Sequence, residues 1–236
     1  MKKLIVTRAD DGIKEMAEIT HPFLKAYAEK CGADFKVFEP IDYPVHKYHY
    51  RIMQLREMLE DYDRALSIDS DVLICHDCPN IFDKVPETHI ATVFEDVGTR
   101  RSQRRGLIGK IQKRWGNVGW ESGYMNTGFA LFSKCHREIF NKIENTYWDG
   151  FGYDDLHLMY QAKKMGFPIH ELPYWYNTMT LFCEKWNNSP SRFDSYVIHY
   201  AGVGVFIPKF TGSRLNQIRH DAKKLKEIEH GSIQDS

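Results

Sequence analysis

Along this chain, short runs that are almost wholly apolar alternate with longer stretches in which apolar residues recur every three or four positions. That is the pattern of strands alternating with amphipathic helices. Leu4-Ile-Val-Thr7 predicts a first strand, and Ile13 to Cys31 has helical spacing closed by Gly32, a usual helix stop. Phe35 to Phe38 predicts a second strand, Arg51 to Tyr62 a second amphipathic helix, and the run ending at Ile68 a third strand. Strand, helix, strand, helix, strand argues for an α/β fold, a Rossmann-like arrangement with a mostly parallel central sheet and helices on both faces. Ile90 to Phe94 adds a further strand.

In the second half, Met125-Asn-Thr-Gly128 predicts a glycine-containing turn that runs into a strand over Phe129 to Phe132. Gly150-Phe-Gly-Tyr-Asp154-Asp155 opens a helix that continues to Lys164 and ends at Gly166. Val197-Ile-His199 is a short apolar strand ending in histidine, with Gly202 just beyond, and a polar, basic-leaning helix follows from Ser213 to Ile228. With 236 residues and 42% hydrophobic content, the chain suits one well-buried domain over 1–236. Within it, 1–100 would form a first half, 101–212 a second, and 213–236 a polar C-terminal helix and tail.

Charge changes this picture little overall and much locally. Lys plus Arg equals Asp plus Glu at 32 each, so no global field argues for nucleic acid. No apolar stretch is long enough to cross a membrane, and the start lacks a signal-peptide pattern, which leads to the expectation of a cytoplasmic protein. Five cysteines at irregular spacing fit reduced thiols better than a disulfide framework. Between Arg100 and Trp115, however, stand seven basic residues and no acid. A solvated loop or helix face accounts for them; so does a mobile basic flap over an anionic ligand, or a patch for an acidic partner or surface.

The sharpest chemistry is Ile68-Asp69-Ser70-Asp71-Val72, two acids one residue apart between two apolar runs. A buried strand would deliver both carboxylates at its carboxyl end, where open α/β sheets bind ligands. Hard divalent cations take oxygen ligands, use one or two carboxylates, and share the remainder of their shell with substrate phosphates. An acid pair in this setting suits a metal held jointly with a nucleotide diphosphate.

In order and spacing, the Asp-x-Asp after a strand, Asn126-Thr-Gly128, the acidic helix start at Asp154-Asp155 and His199-x-x-Gly202 resemble the GT-A glycosyltransferases. The chain is most similar to their glycogenin-like and galactosyl/mannosyl α-transferase branches. Arg51 at a helix start and Ala9-Asp10-Asp11 after the first strand agree. The resemblance implies a hexosyltransferase in which Asp69, Asp71 and His199 hold Mn²⁺, or Mg²⁺, on a UDP-sugar. It further implies Thr7 and Asp10 near the base, Arg51 near the diphosphate or sugar, Asn126 near the sugar hydroxyls, and Ser70 and Gly202 also at the donor. Where the glycogenin-like branch carries a lysine after His-x-x-Gly, Val205 stands here, with Lys209 further on. Asp154 or Asp155, with Asp155 preferred, would orient donor and acceptor in a retaining enzyme or act as base in an inverting one. Retention is favoured, and the acceptor would be a hydroxyl of a glycan, glycoprotein or glycolipid. Two other readings fit parts of the pattern: a haloacid-dehalogenase-like phosphohydrolase, whose first strand also ends in Asp-x-Asp, and a non-catalytic sugar-nucleotide or glycan-binding module.

Overall fold

The protein was examined as a computed structural model that describes residues 1–41, 48–202, 205–206 and 213–234. In chain order its main elements are β1 (Lys3–Arg8), α1 (Lys14–Cys31), β2 (Asp34–Phe38), α2 (Leu55–Asp61), β3 (Arg64–Ile68) and β4 (Val72–Ile74). There follow β5 (Ile90–Phe94), α3 (Arg101–Trp115), β6 (Met125–Ser133), α4 (Tyr153–Lys164), β7 (Ile169–Glu171), β8 (Val197–His199) and α5 (Arg214–Gln234). Among the described residues, six strands make one sheet in the order β2-β1-β3-β6-β5-β7, and β4 pairs with β8 in a second, two-stranded sheet.

Side-chain alternation explains why helices cover both faces of the large sheet. Leu4, Val6, Ala65, Ala130 and Phe132 point into one core layer, completed by α2, α3 and α4. Ile5, Leu66, Ile68, Phe129 and Leu131 point into the other, which α1 closes with Leu24, Tyr27 and Ala28. Strands buried on both faces read as continuous apolar runs, which is why β1 and β3 are conspicuous in the sequence.

The expected turn at Met125 to Gly128 does not form. Met125 begins a nine-residue strand, buried throughout, that runs antiparallel between β3 and β5 with Ile68 opposite Phe129. The sheet is thus parallel at β2-β1-β3 and at β5-β7, and β6 runs against both of its neighbours. Gly128 belongs inside this strand because a Cβ there would fall on the imidazole of His199, 2.8 Å from Nδ1. The segment Arg51–Tyr62 is also more broken than expected: a 3₁₀ stretch over His49–Gln54 leads into α2. Finally, residues 101–115 form a regular helix whose Leu107, Ile108 and Ile111 sit in the core, so this basic stretch is neither a loop nor a detached flap.

β3 stops at Ile68 and the chain leaves the large sheet. It re-forms three residues later as β4, whose antiparallel register sets Val72 opposite His199. Tyr200 N donates to Asp71 O at 2.9 Å, extending the ladder over the second acid. This departure from one sheet into another exposes Asp69-Ser70-Asp71 at the carboxyl ends of β1 and β3.

Candidate active site

A cleft of about 760 Å³ opens at that edge. Its walls come from the ends of β1, β3 and β6, the first turns of α3, α4 and α5, and the 3₁₀ stretch around His49. Asp69, Asp71 and His199 meet on one wall, their ligand atoms all within 4.8 Å of one another. His199 Nε2 lies 3.3 Å from Asp71 Oδ1 and 3.7 Å from Asp69 Oδ2. The other oxygen of each acid is taken by an arginine: Arg8 Nη2 lies 2.7 Å from Asp69 Oδ1, and Arg214 Nη1 lies 2.8 Å from Asp71 Oδ2. Each carboxylate is therefore held from behind while its remaining oxygen faces the histidine.

The imidazole is oriented as a ligand would need to be. His199 Nδ1 is 2.8 Å from Asn177 Oδ1, an atom that can only accept, so Nδ1 carries a proton, and Nε2, which faces the acids, is the nitrogen whose lone pair becomes available when the ring is neutral. Asn177 Nδ2 in turn donates to Asn126 Oδ1 at 2.7 Å, which fixes both amides. Outer hydrogen bonds of this kind set the tautomer and rotation of metal-binding histidines. Burial pushes His199 down, but Asp71 and Asp69 outweigh it and hold the ring above its ordinary value; Asp71, pushed up by burial, is pulled below its own by His199 and Arg214. Two carboxylate oxygens and one imidazole nitrogen with orienting partners are a donor set that fits a divalent cation.

The two acids at the start of α4 meet at one hydroxyl. Thr127 Oγ1, from β6, lies 2.9 Å from both Asp154 Oδ2 and Asp155 Oδ1, and both acids line the cleft. Gly152, at φ +93°, turns the chain into the helix against Tyr124 and Leu156, where any side chain would collide. Their environments are opposite. Asp154 is buried and paired with Arg8 Nη1 at 2.9 Å; burial would raise its carboxyl, but Arg8 and His49 hold it well below the usual range. For Asp155, burial, Asp154 and Glu95 together push the carboxyl well above that range, against the opposing bonds from Thr127 N and Oγ1.

Of the other residues singled out in the sequence, Asp10, Arg51, Ser70, Asn126 and Gly202 line the cleft. Arg51 donates to Ala9 O, and its Nη2 is 3.9 Å from Asp10 Oδ2. Thr7 does not reach the cleft: it is fully buried, its hydroxyl 3.1 Å from Ser70 Oγ, and it supports the Asp-x-Asp turn from below. Lys209 lies outside the described residues. Sequence reasoning missed Arg8, Glu95, Arg104, Thr127, Asn177 and Arg214. A signal existed for two of them, because Arg8 is the last residue of β1 and Glu95 directly follows β5, at the carboxyl ends of buried strands as Asp69 is. Arg214 gave none; it is 143 positions from its partner.

Residues 8–204 match the family described as glycosyl transferase family 8. Among curated proteins no significant match is found. Solved structures with the same fold include a glycosyltransferase involved in glycosylation of the major capsid of PBCV-1. It is 19% identical, with a TM-score of 0.54, over 93% of this chain and 100% of that one. The galactosyltransferase LgtC, solved with donor and acceptor sugar analogues, is 14% identical with a TM-score of 0.56, over 94% and 95%. The bifunctional glycosyltransferase WbbM is 14% identical with a TM-score of 0.60, over 85% of this chain but only 46% of its own. At these identities the likeness establishes the GT-A fold.

Proposed function

This chain belongs to glycosyl transferase family 8, and from that premise we propose that it moves a hexose from a UDP-sugar to a hydroxyl of a glycan-type acceptor, with a divalent cation at Asp69, Asp71 and His199. The convergence of those three side chains, 130 residues apart in sequence and oriented from behind by Arg8, Arg214 and Asn177, carries the reading. Family membership sets aside the phosphohydrolase and the non-catalytic module.

Breaking the sugar–phosphate bond builds negative charge on the departing diphosphate, and a bound Mn²⁺ or Mg²⁺ supplies the fixed positive charge that stabilises it. The chain's own residues do the remainder. Arg8 holds Asp69 and Asp154 in place at once, tying the metal ligands to the start of α4. Asn126, whose amide is fixed between Asn177 and Glu95, is assigned to the side of the cleft that takes the sugar hydroxyls. Asp155 has one oxygen held by Thr127 and is assigned to the reacting sugar, where its carboxyl positions donor and acceptor on one face and favours retention of configuration.

A melting experiment tests the reading. UDP with Mn²⁺ should raise the melting temperature, because a ligand that binds only the folded state stabilises it, and EDTA should abolish the effect. Equal stabilisation by UDP in EDTA would refute the shared metal-diphosphate site.

A further inference from the structure

Helix α3 starts at the cleft, where Arg100, Gln103 and Arg104 line the same space as Asp69, Asp71 and His199. This end is fixed: Arg104 Nη2 and Arg100 Nη1 lie 2.7 and 3.0 Å from the two oxygens of buried Glu95. From there the helix runs away from the cleft for about 22 Å, at 1.5 Å per residue. Leu107, Ile108 and Ile111 occupy its inner face, and Arg101, Arg105, Lys110, Lys113 and Arg114 fill the exposed arc. Asp96 pairs with Arg105 and Asp149 with Arg114; among the described residues, Arg101, Lys110 and Lys113 have no ion-pair partner.

The sign of this face is set against the rest of the molecule. With the seven cations of 100–114 set aside, the chain holds 25 Lys and Arg against 32 Asp and Glu. Successive cations stand roughly 1 to 8 Å apart along the axis, closer than the ~10 Å Debye length at 0.1 M salt, so their fields add. Gly106 and Gly109 on the same arc have no atoms near the place a side chain would occupy, leaving the backbone open to close approach.

We propose that the acceptor is an anionic glycan chain, bearing phosphate or carboxylate groups, which leaves the cleft along the basic face of α3. This inference rests on the transferase reading and narrows its acceptor. Charge complementarity over the length of the helix provides affinity without touching the reacting centre, and the fixed Arg104–Glu95 end hands the terminal sugar into the cleft.

The test measures direct binding of three labelled oligomers of matched length by fluorescence anisotropy: oligogalacturonate, oligo(glycerol phosphate) and a neutral maltooligosaccharide. At least one anionic oligomer should bind ~10-fold or more tightly than the neutral one, and weaken as NaCl rises from 50 to 300 mM. Which of the two binds distinguishes carboxylate from phosphate. Combined Arg101→Glu, Lys110→Glu and Lys113→Glu should reduce that binding at least ~10-fold while the shift in melting temperature with UDP and Mn²⁺ stays intact. Equal binding of all three oligomers, no effect of the charge reversals, or binding to phosphatidylglycerol vesicles but to neither anionic oligomer would overturn it. Loss of the UDP–Mn²⁺ shift in the unaltered protein would instead sink the transferase reading itself.

Discussion

Asp154 and Asp155 share one threonine hydroxyl yet titrate in opposite directions, and that difference is measurable as stability. A carboxyl whose folded value is raised favours the folded state most below the unfolded value, and that advantage disappears as pH climbs through the raised one. Asp155 is such a group; Asp154, held low by Arg8, behaves oppositely and is present in both proteins compared. Asp155→Asn should therefore gain stability over the wild type as pH rises above the ordinary carboxylate value of about 4, at a rate approaching about 1.4 kcal/mol per pH unit until the raised value is passed. Urea denaturation at each pH measures this, and a difference that stays flat would show Asp155 ionising as an ordinary surface acid. At this scale Asp69, Asp71 and His199 were marked in the sequence by the apolar runs that Asp69 follows, Asp71 precedes and His199 ends, and were joined into one set by the family resemblance. The sequence could not show Arg214, whose pairing with Asp71 depends wholly on tertiary approach. Nor could it show that Asp154 and Asp155 meet at Thr127: neighbours on a helix diverge by about 100°, and the hydroxyl that draws both side chains together comes from β6.

Among elements, α3 was the hardest to read. Its charge suggested solvent because six cations mask three core positions, and helical periodicity is faint where glycines and arginines separate the apolar residues. Burial of Ile111, which is 0% exposed, decides the matter. Ile111→Ala should cost roughly 2–4 kcal/mol, the range for truncating a large aliphatic side chain in a packed core, as determined by urea denaturation. A cost under about 0.5 kcal/mol would mean that α3 is a loosely attached flap after all. β6 was misread for a related reason: glycine usually interrupts strands, but Gly128 is there to admit His199. β1, α1, β3 and α4 were legible because their apolar spacing and end signals agree with their final burial.

Across the whole molecule, the order of elements was evident from local pattern, whereas the division into two sheets and the reversed direction of β6 were not. Both depend on pairings between distant segments, and no local window contains them. The β4–β8 ladder is the extreme case, joining residues 72–74 to 197–199. Closing so long a loop is entropically costly, and non-local pairings of this kind form late and slowly. A partly folded chain can thus present the large sheet with Asp69 and Asp71 in place but lack the histidine that β8 brings. Recovery of metal-dependent UDP binding during refolding should accordingly lag behind recovery of helical circular dichroism, and simultaneous recovery would show that β8 docks with the first structure formed. On the function proposed above, the ladder that brings His199 to Asp69 and Asp71 would also act as a checkpoint in time: chains still in the midst of folding would not capture the donor, and nucleotide sugar would be committed only to molecules whose two sheets have already joined.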